Sequence, residues 1–137
     1  MRGGGKAVSV VAAMTRYIFR LCTADDWSAF RAAGRFTGNA ADRRDGFIHF
    51  SAAAQVAETA ARHYAGPEPL VLIAADADAL GDALEWESSR GGALFPHLYS
   101  ALPLADVVAW RAITDRDFAF LARCPQPTEA EEWIFTR

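Results

Sequence analysis

The sequence predicts a single α+β domain, and three observations support this. The chain has 137 residues, a length that suits one domain and a core that folds without staples. Its composition is 52% hydrophobic and 23% charged, which excludes a disordered or collagen-like chain. Its segments run strand, helix, strand, helix and then mostly strands, which is not the alternation of a βαβ fold.

The elements follow in order. Residues 16–22 alternate apolar and polar around Tyr17, Ile18, Phe19 and Leu21, a first strand with Arg20 at its middle. Thr23, followed by Asp25 and Asp26, starts a helix: a hydroxyl cap with carboxylates in the first turn, where the helix dipole favours them. The helix carries Trp27 and Phe30 on one face and ends at Gly34. Residues 35–45, with Gly38, Asn39 and Asp42, read as a loop. Residues 46–51 form a short strand, and Ser51 is expected to cap a helix over 52–64 that Gly66 and Pro67 stop. The unbroken apolar run 70–75 predicts a strand buried on both faces. A single turn over 76–80 follows. Three strand-like stretches come next: 83–88, 94–99 and 104–113. Asp115 is a candidate cap for a short helix through Phe118 and Leu121. Trp133, Ile134 and Phe135 either dock as a last strand or hang free.

Residues 1–13 read as a flexible extension ahead of a start at Met14, residues 14–123 as the domain and 124–137 as a tail. No apolar run approaches the ~18 residues of a membrane span, and the net charge of −3 disfavours an extended nucleic-acid face. Cys22 and Cys124 are the only cysteines and form no CxxC, which excludes a zinc ribbon and thioredoxin-like chemistry. Two free cytosolic thiols are the commoner case, so a cytoplasmic protein is expected. Alanine occurs 29 times, and 13 arginines stand beside one lysine; this skew reads as the base composition of a GC-rich bacterial genome.

Chemistry-bearing residues are few. The chain has no P-loop, GxGxxG, HExxH or GxSxG. Ile48 and Phe50 make the natural core face of their strand, which turns His49 and Ser51 together to the other side. A helix start there suits a phosphate or carboxylate; on the residues alone, a capping serine and a structural histidine are the commoner explanation of the pair. His63 is expected to contact a helix C-terminus. Pro96 fixes His97 and Tyr99 on one face, where they either line a ring-binding pocket or belong to an ordinary edge strand. Glu85 and Glu87 share a face that alternation explains as solvated; beside a histidine they also suit a general base or a ribose-hydroxyl acceptor. Arg43 and Arg44 lie within reach of an anionic ligand near His49.

Ile18-Phe19-Arg20-Leu21, Asp26-Trp27, Gly46-Phe47-Ile48-His49-Phe50-Ser51 with Gln55-Val56, Leu70–Asp76, Leu84-Glu85-Trp86-Glu87 and Phe95-Pro96-His97-Leu98-Tyr99 fall in this order. Together they resemble the bacterial "domain of unknown function 952" family over about residues 15–112. That family is similar in outline to the ADP-ribosyltransferase-like superfamily, which includes the RNA 2′-phosphotransferases. The resemblance implies a split, antiparallel-rich sheet with two main helices and a central cleft for NAD or an ADP-ribosylated intermediate. It places Arg20 at the first-strand position that reads the ribose, where many members have His. It places His49 and Ser51 beside the nicotinamide ribose, and either Glu87 or the His97/Tyr99 pair at the third position. The implied function is binding of NAD or an ADP-ribosyl or phosphorylated nucleotide, with transfer at the nicotinamide ribose. His49 and Glu87 would be catalytic, and Arg20, Ser51, His97 and Tyr99 would contact ligand. NAD is the implied cofactor, and no metal is expected. The alternatives are a non-catalytic nucleotide or metabolite module, and an interaction domain using the C-terminal aromatic segment; oligomeric state stays open.

Overall fold

A computed structural model describes residues 16–66, 68–114, 117–128 and 132–136. The proposed extension 1–13, the start at Met14 and the cap at Asp115 lie outside the described residues. The fold is α+β, and among the described residues every strand pairing is antiparallel.

The central sheet has four strands in the order β1 (Tyr17–Thr23), β4 (Leu70–Asp76), β8 (Val107–Ile113) and β9 (Ile134–Phe135). Strands β1 and β4 are buried on both faces because their side chains alternate between two cores. Ile18, Cys22, Val71, Ile73 and Ala75 point to one cluster, with Trp27 and Phe30 of the first helix. Phe19, Leu21, Leu72 and Ala74 point to the other, with Phe120, Leu121 and Trp133. The chain end therefore docks: Trp133 is buried 5.9 Å from the Phe19 ring, and β9 pairs with β8. The two free cysteines lie in different clusters.

Helix α1 (Ala24–Ala33) starts as the sequence predicts: the Thr23 hydroxyl accepts from the Asp26 N–H at 3.0 Å, and Gly34 closes it with φ +81°. The stretch 35–45, expected to be a loop, is not one. Arg35–Phe36 (β2) pairs with Leu102–Pro103 (β7), and Ala40–Asp45 is a helix, α2. Asn39 caps α2 with its side chain, and Asp42 returns the favour to the Asn39 N–H at 2.7 Å. A second expectation also fails. Ser51 caps no helix: the turn begins one residue later, as 3-10 (Ala53–Gln55), before α3 (Val56–His63). The Gln55 side chain accepts from the Ala52 N–H, and the Ser51 hydroxyl pairs instead with Thr59 at 3.1 Å. Short helices α4 (Ala77–Leu80) and α5 (Phe118–Arg123) complete the set among the described residues.

A separate three-stranded sheet runs β3 (Ile48–His49), β6 (Leu94–Leu98), β5 (Leu84–Ser88). Ile48, Leu98, Leu84 and Trp86 turn one face of it to the core. A bridge between Phe19 and Ser51, with both backbone hydrogen bonds at 2.8 Å, ties it to β1.

Candidate functional site

The other face of the three-stranded sheet carries the site. Antiparallel register sets His49 opposite His97, and His97 opposite Glu85. Direct partners share a face, so the three form a row, flanked on the same face by Phe47, Tyr99 and Glu87. Glu85 is buried, where alternation alone suggested a solvated face. A two-residue period shows which residues share a face, not whether other elements cover that face.

Phe47 stacks on His97 with ring centroids 3.9 Å apart and 20° between planes. The Glu87 carboxylate accepts from His97 Nδ1 at 2.8 Å and from the Tyr99 hydroxyl at 2.7 Å. A carboxylate only accepts, so Nδ1 carries the proton. Burial lowers the His97 pKa below its ordinary value, an effect that outweighs the upward pull of Glu87 and is assisted by His49.

Behind His49 lies a pair the sequence did not reveal. Asp42 is buried on α2, and its Oδ1 accepts from Arg20 Nη1 at 2.7 Å, from the His49 backbone N–H at 3.0 Å and from His49 Nδ1 at 2.7 Å. Arg20 Nη1 also donates to the His49 carbonyl at 3.1 Å. Burial raises the Asp42 pKa, but the hydrogen bonds from His49 and Arg20 outweigh it and hold the carboxyl well below the usual range. His49 Nε2 faces the Asp45 carboxylate at 2.9 Å. The only sequence signal for Asp42 was its place three residues after Asn39, the spacing of a capping box.

These residues border one cleft of about 700 Å³ between the three-stranded sheet, β1, α2 and α3. Arg20, His49, Ser51 and His97 line it; Glu87 and Tyr99 do not, and reach it through His97. α2 adds Arg44 and Asp45, and α3 adds Thr59, Arg62 and His63. His63 ends α3 as its position suggested, and also borders the cleft. Arg44 pairs with Asp45 at 3.0 Å, and Arg62 with Glu58 at 3.2 Å. Arg43 turns away and donates to the Gly38 carbonyl. Among the described residues no group of three His, Cys, Asp or Glu is placed to hold a metal, and no helix is long and apolar enough to cross a membrane.

Comparison with curated proteins gives no match. Among solved structures, the crystal structure of protein CC0527 from Caulobacter crescentus is similar, at 45% identity and a TM-score of 0.67. The match covers 70% of this chain and 84% of that one. The solution structure of the same protein matches at 46% identity and a TM-score of 0.66, over 74% of this chain and 88% of that one. The sequence profile described as "protein of unknown function (DUF952)" matches residues 21–110. With α1, α2 and the histidine-bearing strands β3 and β6 all inside that match, the chain belongs to the DUF952 family.

Proposed function

We propose that the cleft binds a nucleotide-type ligand, with NAD or an ADP-ribosyl compound as its chemistry, and acts at the nicotinamide ribose. One observation carries this reading: Arg20, the His49/Ser51 pair and His97, from three segments of the chain, converge on a single cavity of ligand size. In this reading Arg44 and Arg62 meet the phosphates, since their side chains stand 73% and 55% exposed beside carboxylates they can exchange for a ligand. Ser51, Thr59 and Asp45 offer hydroxyl and carboxylate partners to ribose. Arg20 acts from below: its Nη1 is held by Asp42 and the His49 carbonyl, so it fixes His49.

A thermal-shift comparison tests the proposal. NAD or ADP-ribose at 100 times its dissociation constant adds about 2.7 kcal/mol to stability. The melting point then rises by several degrees, and His49→Ala abolishes the rise with its fold intact by circular dichroism. No rise with either compound contradicts the proposal. A rise without release of nicotinamide identifies a binding module without catalysis.

A further inference from the structure

We infer that His97 and Glu87 form an acid–base dyad, with His97 the base that takes a proton from a hydroxyl or water held in the cleft. Three features converge. The Glu87 carboxylate holds Nδ1–H at 2.8 Å, so the neutral ring carries its lone pair on Nε2. Among the described residues Nε2 makes no hydrogen bond, yet His97 borders the cleft while Glu87 does not. The ring is fixed on two sides: Phe47 stacks on it, and the Tyr99 hydroxyl donates to the same Glu87 oxygen that holds Nδ1. A base needs this combination of fixed direction, fixed tautomer and a free nitrogen at the substrate cavity.

Burial lowers the His97 pKa, so the ring is neutral near pH 7. Among the described residues, the groups that face it are Glu85 and Glu87 of β5, His49 of β3 and Asp45 of α2. The dyad stands independently of any ligand; its substrate rests on the nucleotide reading above. With NAD, the bond from the ribose carbon to nicotinamide breaks, and its electron pair leaves with neutral nicotinamide. The oxygen of water, or of an acceptor hydroxyl, bonds to that carbon. Its proton passes to Nε2 and then to solvent. The balance is NAD and water to ADP-ribose, nicotinamide and one proton, with nothing oxidised or reduced.

Two measurements test this separately. Nitrogen-15 NMR of the free protein at neutral pH, assigned with His97→Gln, reads the tautomer directly. The expected result is a protonated Nδ1 and an unprotonated Nε2; an Nε2–H tautomer overturns the dyad whether or not NAD binds. Nicotinamide release from NAD is then followed against pH. The expected result is a rate that rises with pH through one ionisation and levels. His97→Gln should slow it by about 10²–10⁴-fold in kcat at saturating NAD, and Glu87→Gln should shift the profile. NAD cleavage at an unaltered rate in His97→Gln overturns the role of His97. Failure of NAD to bind overturns the nucleotide reading, and the tautomer still decides the dyad.

Discussion

Asp42 and His49 are joined twice through one oxygen: Asp42 Oδ1 accepts both the ring Nδ1–H at 2.7 Å and the backbone N–H of the same histidine at 3.0 Å. The first bond sets the ring and the second sets the strand. Because Arg20 reaches the same oxygen, α2, β1 and β3 are locked at one point.

The cost of breaking that point is predictable. Asp42→Ala leaves the Arg20 guanidinium buried with no carboxylate beside it, and removing one partner of a buried pair costs about 3–5 kcal/mol. Asp42→Asn keeps the shape and loses less. Urea unfolding should rank wild type above Asp42→Asn and Asp42→Ala last. Equal midpoints would contradict the role of Asp42.

Gly38 guards the same residue. Its φ is +107°, and a Cβ there would lie 2.7 Å from the Asp42 Cβ. Gly38→Ala therefore combines backbone strain with a displaced Asp42, and should cost more than about 1 kcal/mol. A neutral substitution would show that the turn relaxes freely.

Acid should act in two separable steps. The folded His97 pKa lies below its ordinary 6.5, so on acidification the unfolded chain takes up this proton first. Stability then falls as pH drops below about 6.5, while above it His97 contributes nothing. The Asp42 contribution is present above its ordinary 3.8 and is lost as pH falls below that value. Urea midpoints measured against pH should lose the upper step in His97→Gln and most of the lower step in Asp42→Asn. An unchanged curve in either variant contradicts the assignment.

Trp133 packs against Phe19 and Phe120, its ring 5.9 and 5.4 Å from theirs. Trp133→Ala should cost about 3–5 kcal/mol, read by thermal unfolding. A small loss would return the chain end to the role of an interaction segment.

Burial pushes both thiols, Cys22 and Cys124, up to about 12. Neither should react with a thiol reagent in the native protein, and both should react once it unfolds. A fast native reaction at either would place that cysteine at the surface.

Where local physics dominates, the sequence was legible. Thr23 with Asp26 announces α1, and the run 70–75 announces a strand buried on both faces, because capping and apolar continuity are written in adjacent residues. Alternation also turned His49 and Ser51 away from Ile48 and Phe50. Asp42 was not legible. Gly38, Asn39 and Asp42 look like turn residues, and only the capping box separates that pattern from a short helix. The partnership of Asp42 with Arg20 spans 22 residues and appears only when β1 and α2 meet. Ser51 misled because a serine before an alanine-rich helix usually caps it. Here Gln55 takes that task, and the hydroxyl turns to Thr59.

The most direct test of the cleft is a nitrogen-15 NMR titration with NAD, following backbone and histidine side-chain signals together. The account predicts saturable shifts centred on His49, Ser51, Thr59, Arg62 and His97, with the exposed Ile134–Phe135 strand unmoved. Shifts centred on that strand, or none at millimolar NAD, would contradict it.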